Sequence, residues 1–190
     1  MSKQKAGFAL PSWNVTSKSL LGLSLMASVL VTSGQLVGAQ GQPSCLGFTA
    51  DSAAAAGYVV QVGTPGNDLI TGLDGVRNFI MGRGGNDEII GGDGDDIICG
   101  GIGSDDILAR AGNDRVAGNA GNDIINLGNG NDVATGGSGN DNLVGDFGND
   151  RLTGGTGADR LSGEIGDDII NGSGGADVIF GGSGLSLIHI

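Results

Sequence analysis

A nine-residue period runs from Gly63 to near the end of the chain, and no other feature limits the possible folds so tightly. In register, the units are GTPGNDLIT, a ten-residue GLDGVRNFIM, GRGGNDEII, GGDGDDIIC, GGIGSDDIL, ARAGNDRVA, GNAGNDIIN, LGNGNDVAT, GGSGNDNLV, GDFGNDRLT, GGTGADRLS, GEIGDDIIN and GSGGADVIF. The fourth position is always Gly. The sixth is Asp68, Asp87, Asp96, Asp105, Asp114, Asp123, Asp132, Asp141, Asp150, Asp159, Asp168 and Asp177. The eighth is apolar throughout, from Ile70 and Phe79 to Ile179. Low-complexity disorder does not hold such register; a fixed period of this kind marks a stacked repeat.

Each slot has a physical role. Glycines allow the positive φ and close backbone approach that tight turns need. The last three residues of a unit read as a short strand, with the eighth side chain inward and its neighbours outward. Two units then complete one coil, and stacked coils pair their strands in parallel. This brings each sixth-position Asp near the Asp two units further on. Six pairs fall along one edge, from 68–87 to 159–177, and four along the other, from 96–114 to 150–168. Stacked carboxylates repel one another unless a cation lies between them. Carboxylate and carbonyl oxygens suit Ca²⁺, which takes six to eight oxygen ligands in flexible geometry, better than Mg²⁺ or Zn²⁺.

The pattern GGxGxDxUx, as in GGDGDDIIC and GGSGNDNLV, resembles the RTX (hemolysin-type) calcium-binding nonapeptide repeat. The resemblance spans Gly63 to about Gly184. It implies an all-β fold, a right-handed parallel β-roll, with several Ca²⁺ ions held between turns by the sixth-position aspartates and glycine-turn carbonyls. It also implies that the chain is disordered until calcium arrives. Many RTX proteins use a C-terminal secretion signal; this chain, with its N-terminal one, is similar to shorter secreted bacterial forms.

Several units depart from the pattern. Arg77 falls in the acid slot of the ten-residue unit, where no good site is expected. ARAGNDRVA and LGNGNDVAT lose their leading Gly, which predicts weakened sites. Ala134 at an inward slot predicts local underpacking.

The ends read differently. Lys3, Lys5 and Lys18 precede an apolar run, Leu20–Val31, and Val37–Ala39 offers small residues for cleavage before Gln40. Residues 1–39 therefore read as a signal peptide, an uncleaved anchor being the alternative. From Gln40 on, 21 acidic residues face six arginines, a charge of −15. That surface repels nucleic acid and anionic membranes and attracts cations. In an oxidising, extracellular compartment Cys45 and Cys99 favour a disulfide; two buried free thiols are the alternative. Residues 40–62 read as an N-terminal capping segment, with the strand-like YVVQV leading into a roll over 63–184. LSLIHI (185–190) breaks the pattern and matches the translation of a sequencing adapter, so a further repeat, cap or domain of a larger protein is expected beyond it.

No enzyme is expected. There is no HExxH or GxSxG, and His189 is the only histidine, so no Ser-His or Cys-His relay can form. Two roles remain: a calcium-responsive module that helps an exported protein fold, and a calcium-rigidified structural or adhesive surface element. The mixed outward positions carry no regular Thr rank of the sort that would suggest ice binding. The sequence names no protein partner.

Overall fold

The computed structural model describes residues 44–190 and the short strand Val29–Leu30. The predicted signal peptide otherwise lies outside the described residues. The repeats wind into a β-solenoid with two parallel sheets. Successive units contribute alternately to the two sheets. The first contains Val59–Val62, Asn78–Gly84, Ile97–Ile102, Arg115–Ala120, Val133–Ser138, Arg151–Thr156, Ile169–Gly174 and Leu187–His189. Val29–Leu30 pairs antiparallel along the Val59–Val62 edge. The second sheet runs from Leu69–Thr71 through Glu88–Gly92, Asp106–Ala111, Ile124–Asn129, Asn142–Phe147 and Arg160–Ser162 to Val178–Phe180. Val116 pairs with Ala134 and Ile125 with Leu143, an offset of two units, so the two-unit coil expected from the period is the one found.

Most of the strands are longer than the three residues expected. Arg115–Ala120 and its counterparts span six, because the first three residues of the next unit keep pairing after a kink. From the third unit on, the kink lies at the second position, which takes a left-handed φ even where it is not glycine: Arg83, Arg110, Asn119, Asp146, Glu164 and Ser173 all lie between +69° and +85°. Such a conformation costs an L-residue roughly 1–2 kcal/mol. The ladder hydrogen bonds on either side of the kink hold it in place.

The eighth-position side chains stack into one core, from Ile70 through Ile89, Ile107 and Ile125 on one sheet and Ile98, Val116 and Leu152 on the other. Ile179 is only partly buried near the C-terminal end. Phe79 departs from expectation. It pairs with Ile97, so its neighbour Ile80 pairs with Ile98 and takes the inward slot. Phe79 is still fully buried, but outside the roll.

The underpacking expected at Ala134 is offset by Leu127. First and eighth positions of one unit face each other: a Cβ added at Gly91 would lie 3.0 Å from Ile98 Cδ1, and one at Gly63 would lie 3.1 Å from Ile70 Cδ1. Most units pair Gly with Ile or Leu. ARAGNDRVA pairs Ala109 with Val116, and LGNGNDVAT pairs Leu127 with Ala134; all four are buried in the same core. Small faces large in each unit, as close packing requires.

The segment before the repeats builds a second core on the outer face of the first sheet. A hairpin of Ser44–Cys45 and Phe48–Thr49 leads into the helix Ala50–Ala55. Thr49 caps this helix and forms a capping box with Ser52, and the turn after it passes through Gly57 at φ +85°. Ala50, Ala53 and Cys45 pack on Val60, Phe79, Met81, Ile97, Cys99 and Ala117. The Cys45–Cys99 disulfide fastens the segment to this flank, with Cα atoms 5.8 Å apart. Within YVVQV, the strand Val59–Val62 starts the first sheet. Gln61 lies at its inward slot, and its Nε2 donates to the Thr71 carbonyl at 2.8 Å.

Candidate metal centres

The turns begin with the fourth-position glycine. Gly121 has φ +138°, and a Cβ there would lie 1.8 Å from the carbonyl oxygen of Gly103, its counterpart one coil earlier. Gly148 and Gly130 repeat this contact at 1.5 Å. From Gly103 on, neither the conformation nor the space admits a side chain at this position.

Two residues on, the aspartates form ladders along both edges. Asp87 N–H donates to Asp105 Oδ1 at 2.9 Å, Asp105 N–H to Asp123 Oδ1 at 2.9 Å, and Asp114 N–H to Asp132 Oδ1 at 2.7 Å. All ten pairs expected from the two-unit spacing are joined in this way, from Asp68–Asp87 at 2.8 Å to Asp159–Asp177 at 3.0 Å. Asp87 through Asp168 are at most 2 % exposed.

In nine of these carboxylates one oxygen is thus satisfied and the other is not. The Oδ2 atoms of Asp87, Asp96, Asp105, Asp114, Asp123, Asp132, Asp141, Asp150 and Asp159 are buried with no hydrogen-bond partner. Native proteins rarely leave buried polar atoms this way, and a buried unpaired charge is costlier still. Without a cation, burial pushes the Asp114 carboxyl up to about 8, with the Asp132 and Asp96 carboxylates adding to the rise and the hydrogen bond from the Asp96 N–H opposing it. Burial likewise pushes Asp105 to about 7 and Asp96, Asp123, Asp132 and Asp150 to about 6. Asp87, Asp141 and Asp159 move up for the same reason.

These oxygens converge with main-chain carbonyls. A Cβ added at Gly118 would lie 2.2 Å from Asp123 Oδ2 and 2.7 Å from the Gly136 carbonyl of the next coil, and Gly136, Gly154 and Gly163 show the same arrangement. Among the described residues no three His, Cys, Asp or Glu side chains gather into a metal-holding group. A cation here would therefore draw on carbonyls as much as on carboxylates. A donor set made only of oxygen, flexible and anionic, fits Ca²⁺.

Two features differ from the sequence reading. The acid slot of the ten-residue unit holds Asn78 and not Arg77, because the extra residue is absorbed within the turn: Asn78 N–H donates to Asp96 Oδ1 at 2.6 Å, the bond an aspartate makes elsewhere. Arg77 turns outward, donating to the Ala56 carbonyl at 2.8 Å with its guanidinium 4.6 Å from the Tyr58 ring centre. The second feature is a ladder at the fifth position. Asn122 Oδ1 accepts from Asn140 N–H at 2.7 Å, and Asn131 Oδ1 from Asn149 N–H at 2.8 Å. Asn, Asp or Ser recurs at this position in most units, the one sign of this ladder in the sequence. Cys45 and Cys99 lie apart from the turns, paired in the outer core.

Among the described residues no helix is long and apolar enough to cross a membrane. Fold and turns together define a parallel β-solenoid whose edges carry stacked carboxylates directed at backbone carbonyls. The family described as RTX calcium-binding nonapeptide repeat (4 copies) matches residues 62–76, 77–107, 100–134, 135–170 and 153–185. The chain belongs to this calcium-binding family. A comparison with curated proteins finds no match.

Proposed function

We propose that this chain is a secreted, non-catalytic protein whose solenoid folds on binding several Ca²⁺ ions. The sixth-position aspartates from Asp87 to Asp177 supply carboxylate ligands, and turn carbonyls complete each site; the Oδ2 of Asp68 is already taken by Thr64. The observation that carries this reading is the row of nine buried Oδ2 atoms without partners. Their burial is unfavourable in the metal-free chain, and a divalent cation shared by stacked turns offsets it. Ion binding that requires the stacked geometry contributes directly to folding. Site affinities around 10⁻⁴–10⁻³ M would suit extracellular calcium, so that structure forms after export.

The test is far-UV circular dichroism during a calcium titration from EDTA, with magnesium as control. A cooperative, calcium-specific gain of β signal is expected. A complete β signal in EDTA at pH 8 would refute calcium-coupled folding.

A further inference from the structure

The first coil differs from the rest in how its acid slots are satisfied. At Asn78 the side chain is fully buried, and its carboxamide nitrogen shares its two hydrogens among four oxygens within reach: the carbonyls of Leu73 at 3.0 Å, Val76 at 3.2 Å and Gly91 at 3.4 Å, and Asp96 Oδ1 at 3.0 Å. Its Oδ1 accepts from Leu73 N–H at 3.0 Å. Leu73 and Val76 belong to its own turn; Gly91 and Asp96 belong to the coil stacked on it. A single NH₂ group thus joins oxygens of two coils, three carbonyls and a carboxylate, as a cation between turns would.

The opposite edge of this coil is also satisfied by protein groups. Asp68 Oδ2 accepts from Thr64 N–H at 2.6 Å and Thr64 Oγ1 at 3.0 Å. Orphaned carboxylate oxygens begin only at Asp87. The same part of the chain holds the Cys45–Cys99 disulfide, the outer core around Phe79, and the Arg77 contacts with Ala56 and Tyr58.

We infer that the first coil is a calcium-independent platform in which the Asn78 carboxamide takes the place of a cation, and that the calcium-binding coils extend from it. The inference rests on the calcium reading above and adds where the dependence on calcium begins. The platform supplies the paired strand edge that makes stacking of the next coil favourable, so ordering proceeds away from the disulfide-fastened end. Repeat proteins permit this, since each unit is stabilised mainly by its neighbours.

Hydrogen exchange of the full, disulfide-intact chain in EDTA and in millimolar calcium tests it. In EDTA, amides of residues 59–84 should be protected on the order of 100-fold, while those of residues 105–177 exchange as in an unfolded chain. Calcium should then protect both. Asn78→Asp replaces the NH₂ donor with a carboxylate oxygen facing Asp96 Oδ1. It should lose the protection of 59–84 in EDTA, regain it in calcium, and bind one additional ion by native mass spectrometry. Asn78→Ala should lose the protection in EDTA without gaining an ion. If calcium protects 105–177 but 59–84 exchange freely in EDTA, or if Asn78→Asp keeps full protection in EDTA, the platform is wrong and the calcium reading stands. If calcium changes protection nowhere, both readings fall.

Discussion

Replacing Leu127 by Ala and Ala134 by Val would convert the inner pair of one unit into the Ala109–Val116 pair of another, and the structure fixes what each step should cost. Leu127 is fully buried, in a slot that is Gly in most units, facing an eighth position that is only Ala. Leu127→Ala alone removes three carbons and leaves a cavity no neighbour can fill, a loss of about 3–5 kcal/mol. Ala134→Val alone adds two carbons opposite an intact leucine and should cost about 1–3 kcal/mol by overpacking. Made together, the changes leave the pair one carbon short of its natural total, or about 1 kcal/mol. The coupling between the sites should therefore exceed about 3 kcal/mol, near the top of the range for residues in contact. Urea denaturation of all four proteins in saturating calcium measures it. Additive losses would mean that first and eighth positions do not share one space, and the account of small-against-large packing would fail.

Three other outcomes follow from the geometry. Reducing Cys45–Cys99 frees a loop with a sequence separation of 54, and loop-closure entropy puts the cost at about 4 kcal/mol; equal urea midpoints for oxidised and reduced chain would contradict this. Gly121→Ala should cost well over 1 kcal/mol because its Cβ would fall 1.8 Å from the Gly103 carbonyl, whereas Gly174→Ala, whose nearest neighbour would be 3.6 Å away, should be tolerated; thermal unfolding of the two variants, if alike, would refute the close-stacking argument. In EDTA, where the calcium-coupled coils are unfolded at pH 8, lowering the pH to 5 should shift the metal-free chain toward the folded state. Its buried carboxyls are raised from 3.8 to about 6 at Asp123 and about 8 at Asp114, so between about pH 4 and 8 the folded state binds more protons than the unfolded one. That stability is complete below about pH 4 and is lost as pH rises through the folded values. Saturating calcium should reverse the trend, since ligation needs ionised carboxylates; a circular-dichroism β signal in EDTA that grows as the pH rises would overturn the assignment.

Much of the solenoid could be read from the sequence because each repeat slot has one dominant constraint. Position four needs positive φ, position eight a buried apolar side chain, and position six a carboxylate, so Gly121, Ile125 and Asp123 announce their places without a structure. The ten-residue unit could not be read in the same way. Counting from its first glycine puts Arg77 in the acid slot and Phe79 inward, and the run Phe79–Ile80–Met81 gives no alternation to correct the count. All three are apolar because both faces of this coil are covered, the inner by the roll and the outer by the helix around Ala53. Only the pairing of Phe79 with Ile97 settles that Asn78 belongs to the ladder.

The facing of Leu127 and Ala134 was present in the letters but had no meaning until the coil closed on itself. What the sequence determined by itself is the period and the chemistry of each slot, because those depend on local backbone freedom and on side-chain polarity. What the tertiary structure decided is which groups meet across coils: the partners of each Asp oxygen, the register around the extra residue, and the four oxygens gathered by one amide. Those contacts join residues two units apart, and their distances are set by the stacking of strands, which no single repeat encodes.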